Sequence, residues 1–459
     1  MGVKLEWQID SDTRSRSKRH QEDPGHGKRR NRRLVRFFVL LLAVLLTLVG
    51  TVWLLSERLK QVDARQQQLL YNTVQAEIAA LGVGETTTYM SLQRSATNDW
   101  IEQQRAFFNA YQQDKALTDR TLTGRVFNTT IDGQRGRVQV EEIEAGVPYV
   151  RTWFYWNYDT VVDPATQQTQ EGGWRHVPPD YTFWGPPGQI IRERYVIRYQ
   201  ELDVPFATSM DEVLNRWFAD LCTALACSRL PFVTIDIVPN PGTQTSWSAA
   251  TEPQLIVPSP FVGRARYDLP FDTASQQDVA ALLAERLVSA YSVEPSAGYD
   301  AEFLRRAAVL WLLGKWLQVD TQSYLMTSIA NQYGAGKIGE LLAVLRNNSD
   351  ISILAGVLGV SSFADANLDW RDFLTWRLGL ETQAASAGDA ATLLRLYDQR
   401  DPLIVGTAQG RLGNPSPAAP VGIVYSQTAP DGTAQLVATM TNGQQVIFNL
   451  VSNVWLRGS

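Results

Sequence analysis

The stretch from Phe37 to Leu55, FFVLLLAVLLTLVGTVWLL, is nineteen residues long, carries no charge and is dominated by Leu and Val. At roughly 1.5 Å of helical rise per residue, a run of this length just spans the roughly 30 Å hydrocarbon core of a bilayer. A buried helix of a soluble domain would keep a polar face, and none is visible. A cleavable signal sequence would place a shorter apolar run near residue 1 and close it with small residues. This run starts after thirty-six residues and ends in Trp53, Leu54 and Leu55. It reads as a membrane anchor, with the lipid bilayer as a partner through Phe37–Leu55.

Charge then sets an orientation. Residues 1–36 hold eleven Lys and Arg against five acids, so this arm carries +6 and the remaining 423 residues carry −11. Basic residues beside a first apolar span stay on the cytoplasmic side, which puts the N-terminus inside and the C-terminal part outside. The acidity of the outer part fits nucleic acid poorly, and no such partner is expected there. The arm lacks periodic apolar residues and reads as disordered. It serves as a topology signal or as a docking tail for a cytosolic protein or anionic lipid. The two cysteines, Cys222 and Cys227, fall outside the membrane, where thiols oxidise. On an unbroken helix they diverge too far to bridge, whereas a helix ending near Ala226 permits a disulfide. A bridge and two buried thiols both stay open.

Past the span the pattern is helical to Tyr111, with Leu69, Leu70, Val74, Ile78 and Leu81 near one face and a break at Gly82 and Gly84. A second helix carries Trp100, Ile101, Phe107, Phe108 and Tyr111. Strands follow, with a hairpin turn at Asp132-Gly133 and alternation at Val138 and Val140. An internal repeat links this region to the end of the chain. Ala76–Leu92 aligns with Leu380–Leu396 at an offset of 304, with identities Glu77/Glu381, Ala80/Ala384, Gly84/Gly388, Thr88/Thr392 and Leu92/Leu396. Hairpin signals at Asp431-Gly432 and Asn442-Gly443 follow the later copy. Between the copies, about Ile190 to Trp370, the pattern gives strands, one amphipathic helix and, after Asp272, almost only helix.

The helix order, the repeat and the strands of Gly173–Gly185 resemble the nuclear-transport-factor-2-like cone, in its SnoaL-like and scavenging-domain varieties. The middle segment resembles the peptidase MA-like, gluzincin-type domain. The matching features are a strand–helix–strand opening, a helix at Ala284-Glu285-Arg286-Leu287-Val288, the Trp311-Leu312-Leu313-Gly314 helix, and Tyr333-Gly334 before Leu341-Leu342. A zincin needs two His one turn apart with a Glu as base. Here Glu285 persists, while Ala284 and Val288 stand at the ligand positions and Leu313 replaces the third-ligand Glu. The outer part has one His, His176, so no His pair forms in a monomer. These resemblances imply an α+β plan. A disordered basic arm (1–36) precedes a transmembrane helix (37–56) and a cone-shaped α+β domain (57–189). A mostly helical, degenerate peptidase domain (190–372) and a second cone (373–459) follow.

Three further features carry candidate chemistry. Gly334-Ala335-Gly336-Lys337-Ile338-Gly339 spells G-x-G-x-x-G, but a dinucleotide site needs a strand before it. Here the preceding residues are helical, so the motif reads as a helix–helix turn and no cofactor is expected. His176 is either a general base or a hydrogen-bonded structural residue, and no G-x-S-x-G partner accompanies it. The aromatic group around it is dense, and Trp153/Tyr155 and Phe154/Trp156 must face opposite sides of a strand. It is either interdomain packing or a pocket of Trp153, Tyr155, Trp174, Arg175, His176 and Tyr181 for an apolar or carbohydrate ligand.

Together these features suggest a single-pass, extracytoplasmic, non-catalytic binding or scaffold protein with a protein partner. Two alternatives stand beside it. One is a signalling protein read through the basic arm, and the other is an enzyme using a cone pocket around His176.

Overall fold

A computed structural model describes residues 25–162, 169–170, 172–225, 230–249, 254–416 and 418–458. The chain divides into two compact units, residues 1–72 and 73–459. Helix α1 (Gly25–Val83) is uninterrupted and, from Phe37, long and apolar enough to cross a membrane. Its apolar side chains are open, with Leu40 66 % and Trp53 64 % exposed. The Thr47 and Thr51 hydroxyls donate to the carbonyls of Val44 and Leu48 at 2.8 and 2.9 Å, so these polar groups are satisfied within the helix. The helix begins at Gly25, inside the arm that composition marks as disordered. Residues 28–36 are rich in Lys and Arg, which are good helix formers, and lack Gly and Pro. The helix of the apolar run therefore propagates back through them. Residues 1–24 of the arm lie outside the described residues.

In the second unit, the last turns of α1 bury Val74, Ile78 and Leu81. Gly84, at φ +77°, ends the helix in the left-handed region. The Glu85 carboxylate then caps a short α2 (Thr86–Ser91), accepting from the amides of Thr87 and Thr88. Helix α3 (Asn98–Leu117) buries Trp100, Phe108 and Tyr111. Strands β1 (Thr121–Asp132), β2 (Arg135–Glu144) and β3 (Val147–Tyr158) form an antiparallel meander whose first turn follows Asp132. A small ribbon, β4 (Val161–Val162) with β5 (Thr169–Gln170), precedes β6 (Gly173–Val177). Strand β6 pairs with Phe154–Tyr158 of β3.

A second sheet starts with β7 (Pro187–Ile191) and β8 (Tyr195–Gln200). Helix α4 (Val204–Leu225) crosses from β8 to the parallel strand β9 (Val233–Val238). Strands β10 (Ser246–Trp247) and β11 (Gln254–Pro258) complete the order β10–β11–β9–β8–β7, parallel at its centre and antiparallel at both edges. Strand β12 (Arg264–Arg266) then leaves this sheet and pairs with Tyr149–Arg151 of β3. The first sheet therefore takes a strand from the segment that builds the second. Arg264, brought in by β12, meets Glu142, which is fully buried and also pairs with Arg120 and Arg151. Burial works to raise the Glu142 carboxyl, but Arg151 and Arg120 hold it below its ordinary value. Strand β3 is covered on both faces. Val150 and Phe154 join the large apolar core with Trp184, Phe261 and Ala265, while Trp153 and Tyr155 stack toward His176 on the other side. That double burial accounts for the aromatic run as far as Tyr155, while Trp156 is exposed.

The helices α5 (Thr273–Tyr291), α6 (Asp300–Leu317), α7 (Tyr324–Tyr333), α8 (Gly336–Val344), α9 (Ile353–Leu358) and α10 (Arg371–Ala387) follow. The same apolar core continues through them to Leu436, Phe448 and Trp455 of the last sheet. Two short helices, α11 (Ala390–Arg395) and α12 (Pro402–Arg411), lead into that sheet. It is a meander of β13 (Val421–Thr428), β14 (Ala434–Met440), β15 (Gln445–Val451) and β16 (Val454–Arg457). The architecture is α+β. Helix α4 ends at Leu225, and Cys222 on it is disulfide-bonded. Cys227 lies outside the described residues.

Candidate functional site

The residues read as a pocket around His176 split into two groups. Trp153, Tyr155, Trp174 and His176 are buried. Arg175 lies on the opposite face of β6, as strand alternation requires, and Tyr181 packs against Trp184. His176 is 4 % exposed, enclosed by the rings of Trp100, Trp153 and Tyr155 at 5.2, 5.4 and 5.1 Å. Its Nδ1 lies 2.7 Å from Oε1 of Glu77, a residue on α1 with no exposure. The same carboxylate accepts from Gln93 at 2.9 Å and from the Tyr155 hydroxyl at 2.7 Å. Burial, reinforced by the Glu77 charge, pushes the Tyr155 hydroxyl well above its ordinary value. The cluster is a buried polar core around Glu77 in which Gln93 Oε1 and the indole nitrogens of Trp100 and Trp174 have no hydrogen-bond partner among the described residues.

Glu381 on α10, 304 residues later, plays the same part. It accepts from the Tyr397 hydroxyl at 2.6 Å and from Arg457 at 2.9 Å, and it pairs with Arg411. The backbone around it repeats as well. His176 exchanges bonds with Leu92 and Arg94, and Arg457 exchanges bonds with Leu396 and Asp398. Asp389 caps α11 as Glu85 caps α2. The short sequence repeat thus coincides with a repeated geometry in which His176 and Arg457 occupy matching places.

On α5, Ala284 and Val288 are fully buried in the core. Glu285 faces outward and pairs with Arg305 of α6 at 3.2 Å, and Leu313 is partly buried against the core. The four positions do not share an opening. No group of three or more His, Cys, Asp and Glu fit to hold a metal occurs among the described residues. The glycine motif joins α7 to α8, with Gly334 at φ +91° in the turn. Gly339 passes α4 so closely that a Cβ there would lie 2.2 Å from the Ala224 carbonyl oxygen. Its spacing serves a helix crossing, beside an apolar groove of about 1020 Å³ that Ala224, Val344, Ile353 and Val357 also line.

Sequence reasoning missed a cavity of about 660 Å³ enclosed by α6, α7, α10 and the start of β13. Phe303, Tyr324 and Trp376 give it aromatic walls, and Arg306, Arg371 and Asp372 give it charge. A second opening of about 510 Å³ shares Arg306 and Trp376 and continues along α10 past Gly379 and Gln383. Arg371 stacks 3.7 Å over the Tyr324 ring and is held by both oxygens of Asp369. Arg306 is exposed, and no ion pair to it occurs among the described residues. The Asp372 carboxylate accepts from the amides of Leu325 and Phe373 at 3.2 and 2.9 Å, yet burial pushes it up to about 7. The Thr375 hydroxyl is fully engaged, donating to the Arg371 carbonyl and accepting from the Val421 amide. The site therefore offers apolar walls, a cation and a titratable carboxyl. The only signal in the sequence was the acid- and Arg-flanked aromatic run at Trp370, Phe373 and Trp376. The chain matches no family model, no curated protein and no solved structure.

Proposed function

We propose that the chain is a membrane-anchored, non-catalytic binding or scaffold protein whose outer part holds a protein partner. The observation that carries this reading is the open apolar helix from Phe37 to Leu55, long enough to span and with no polar face. The basic arm then lies in the cytoplasm and the rest outside. The matched clusters at Glu77 and Glu381 support two cone-shaped domains of the nuclear-transport-factor-2-like kind. In the segment between them, which resembles a gluzincin-type peptidase in sequence, Ala284 and Val288 are ordinary core side chains of a helix and lend that resemblance no support. The cavity along α10 supplies a binding surface. Alkaline carbonate washing of membranes tests the anchor: the chain should stay in the pellet, and release into the wash defeats the reading. Single-cysteine reporters should label from outside at residue 430 and only after permeabilisation at residue 15.

The signalling reading has one observation of its own. The helix is continuous from Gly25 in the basic arm through the apolar run to Val83, so it can carry a displacement along its axis. A cytosolic protein that crosslinks to residues 1–36 in intact cells would favour it.

A further inference from the structure

Strand β13 is an outer strand of the last sheet. It pairs with β14, and no strand among the described residues pairs with its other side. Its residues, VGIVYSQT, include no charge and no proline, two devices that blunt an open edge, and its one register irregularity lies before Ile423, at Val421–Ile423. Ile423 and Tyr425, two apart on one face, are 64 % and 47 % exposed. Beyond the strand, the Ala429 amide bonds the Thr433 carbonyl at 2.8 Å. Alternation back from that pair sets Ile423 and Tyr425 in bonded pairs with β14. It turns the N–H and C=O groups of Val424, Ser426 and Thr428 outward. Such a row is a template for one more strand.

The edge leads into the α10 cavity, because Pro420, Val421 and Gly422 line that cavity together with Phe303, Trp376 and Arg306. A strand laid along Val424–Thr428 and continued past Val421 delivers its end there. The aromatic walls fit a large apolar side chain, and the unpaired Arg306 calls for a carboxylate. We propose that β13 and this cavity form one peptide-docking site. The edge takes an extended segment of a partner protein by strand addition, and the cavity takes an aromatic or aliphatic side chain next to an acidic residue or chain terminus that meets Arg306. The proposal rests on the binding reading above and gives its partner a chemistry. A second copy of this chain fits less well, since the residues after its own β13, Ala429 to Thr433, bring no large apolar side chain to the cavity.

The test selects a random dodecapeptide display library on the full chain in lipid nanodiscs and measures the selected peptides by fluorescence polarisation. Winning peptides should pair a large apolar residue with Asp, Glu or a free C-terminus. Val424→Pro, which removes an outward N–H and leaves the ladder to β14 intact, should weaken them by about tenfold or more. Arg306→Glu should weaken the acidic peptides by a similar factor and spare their amide versions. If Val424→Pro does not fold, N-methylation of the peptide backbone probes the same bonds. Winners without the apolar–acid pair, or unchanged affinity in both variants, overturn the site. Crosslinking of Tyr425→Cys between copies, with no peptide bound, overturns it in favour of self-pairing. Carbonate extraction reports separately: an anchored chain that binds no such peptide loses only the docking site, and a binding chain that extracts loses only the anchor.

Discussion

Asp203 and Asp372 keep their protons further up the pH scale than ordinary aspartic acids. Asp203 accepts from the Trp184 indole at 3.0 Å and from the Ser259 hydroxyl, yet burial outweighs these bonds and pushes it up to about 6. Asp372 is pushed up to about 7 in the same way. Between about pH 4 and these values the native chain binds more protons than the unfolded one. Their contribution to stability is therefore complete below about pH 4 and fades as pH rises through 6 and 7. Thermal unfolding followed by Trp fluorescence should show that Asp372→Asn, which keeps an acceptor for the Leu325 amide, gains on the wild type as pH rises from 5 to 8. An equal pH slope in the two proteins would show that this carboxyl titrates normally. At Glu77 the cost runs the other way. Glu77→Ala strands Gln93, Tyr155 and His176 in the interior and should cost roughly 3 kcal/mol in urea unfolding. The repeat marked Glu77 and Glu381 in the sequence. Their roles were not legible, because Tyr155 and His176 reach Glu77 from 78 and 99 residues away.

Periodicity and turn chemistry made the long elements readable, and brevity hid the others. Helices α1, α3, α4 and α5 follow their apolar faces, and Gly84 stops α1 near where it was expected to end. Helix α2 has six residues and β12 has three, too few for a period to declare itself. The α7–α8 glycine motif shows how far spacing carries. The helix before it favoured a helix–helix turn over a nucleotide turn in the sequence, but the reason for Gly339 needed the crossing with α4. Gly339→Ala must part α4 and α8 and should cost roughly 2 kcal/mol, read as a lowered urea midpoint with an unchanged slope. A neutral outcome would mean that the two helices separate freely.

At the scale of the whole molecule, residues 73–459 behave as one body with interleaved parts. Composition and pattern conveyed a helix long and apolar enough to cross a membrane and the α+β class, but not this interleaving, because no local signal records which sheet a three-residue strand will join. Expressed alone, residues 57–189 would lack β12, leave Glu142 two of its three arginines, and uncover Val150 and Phe154. That fragment should aggregate in size-exclusion chromatography, whereas residues 57–459 should elute as a discrete species. The shared strand also has a consequence in time. Arg151 waits for Arg264, more than a hundred residues later in the chain. At about 5–20 residues per second of synthesis, the Tyr149–Arg151 part of the β3 edge stays open for about 5–20 s. On the membrane-anchored reading, this three-residue stretch of edge, on a strand already paired with β2, stands open outside the membrane for those seconds. On that reading, biogenesis is helped by a shield for that edge in the outer compartment until residue 266 arrives.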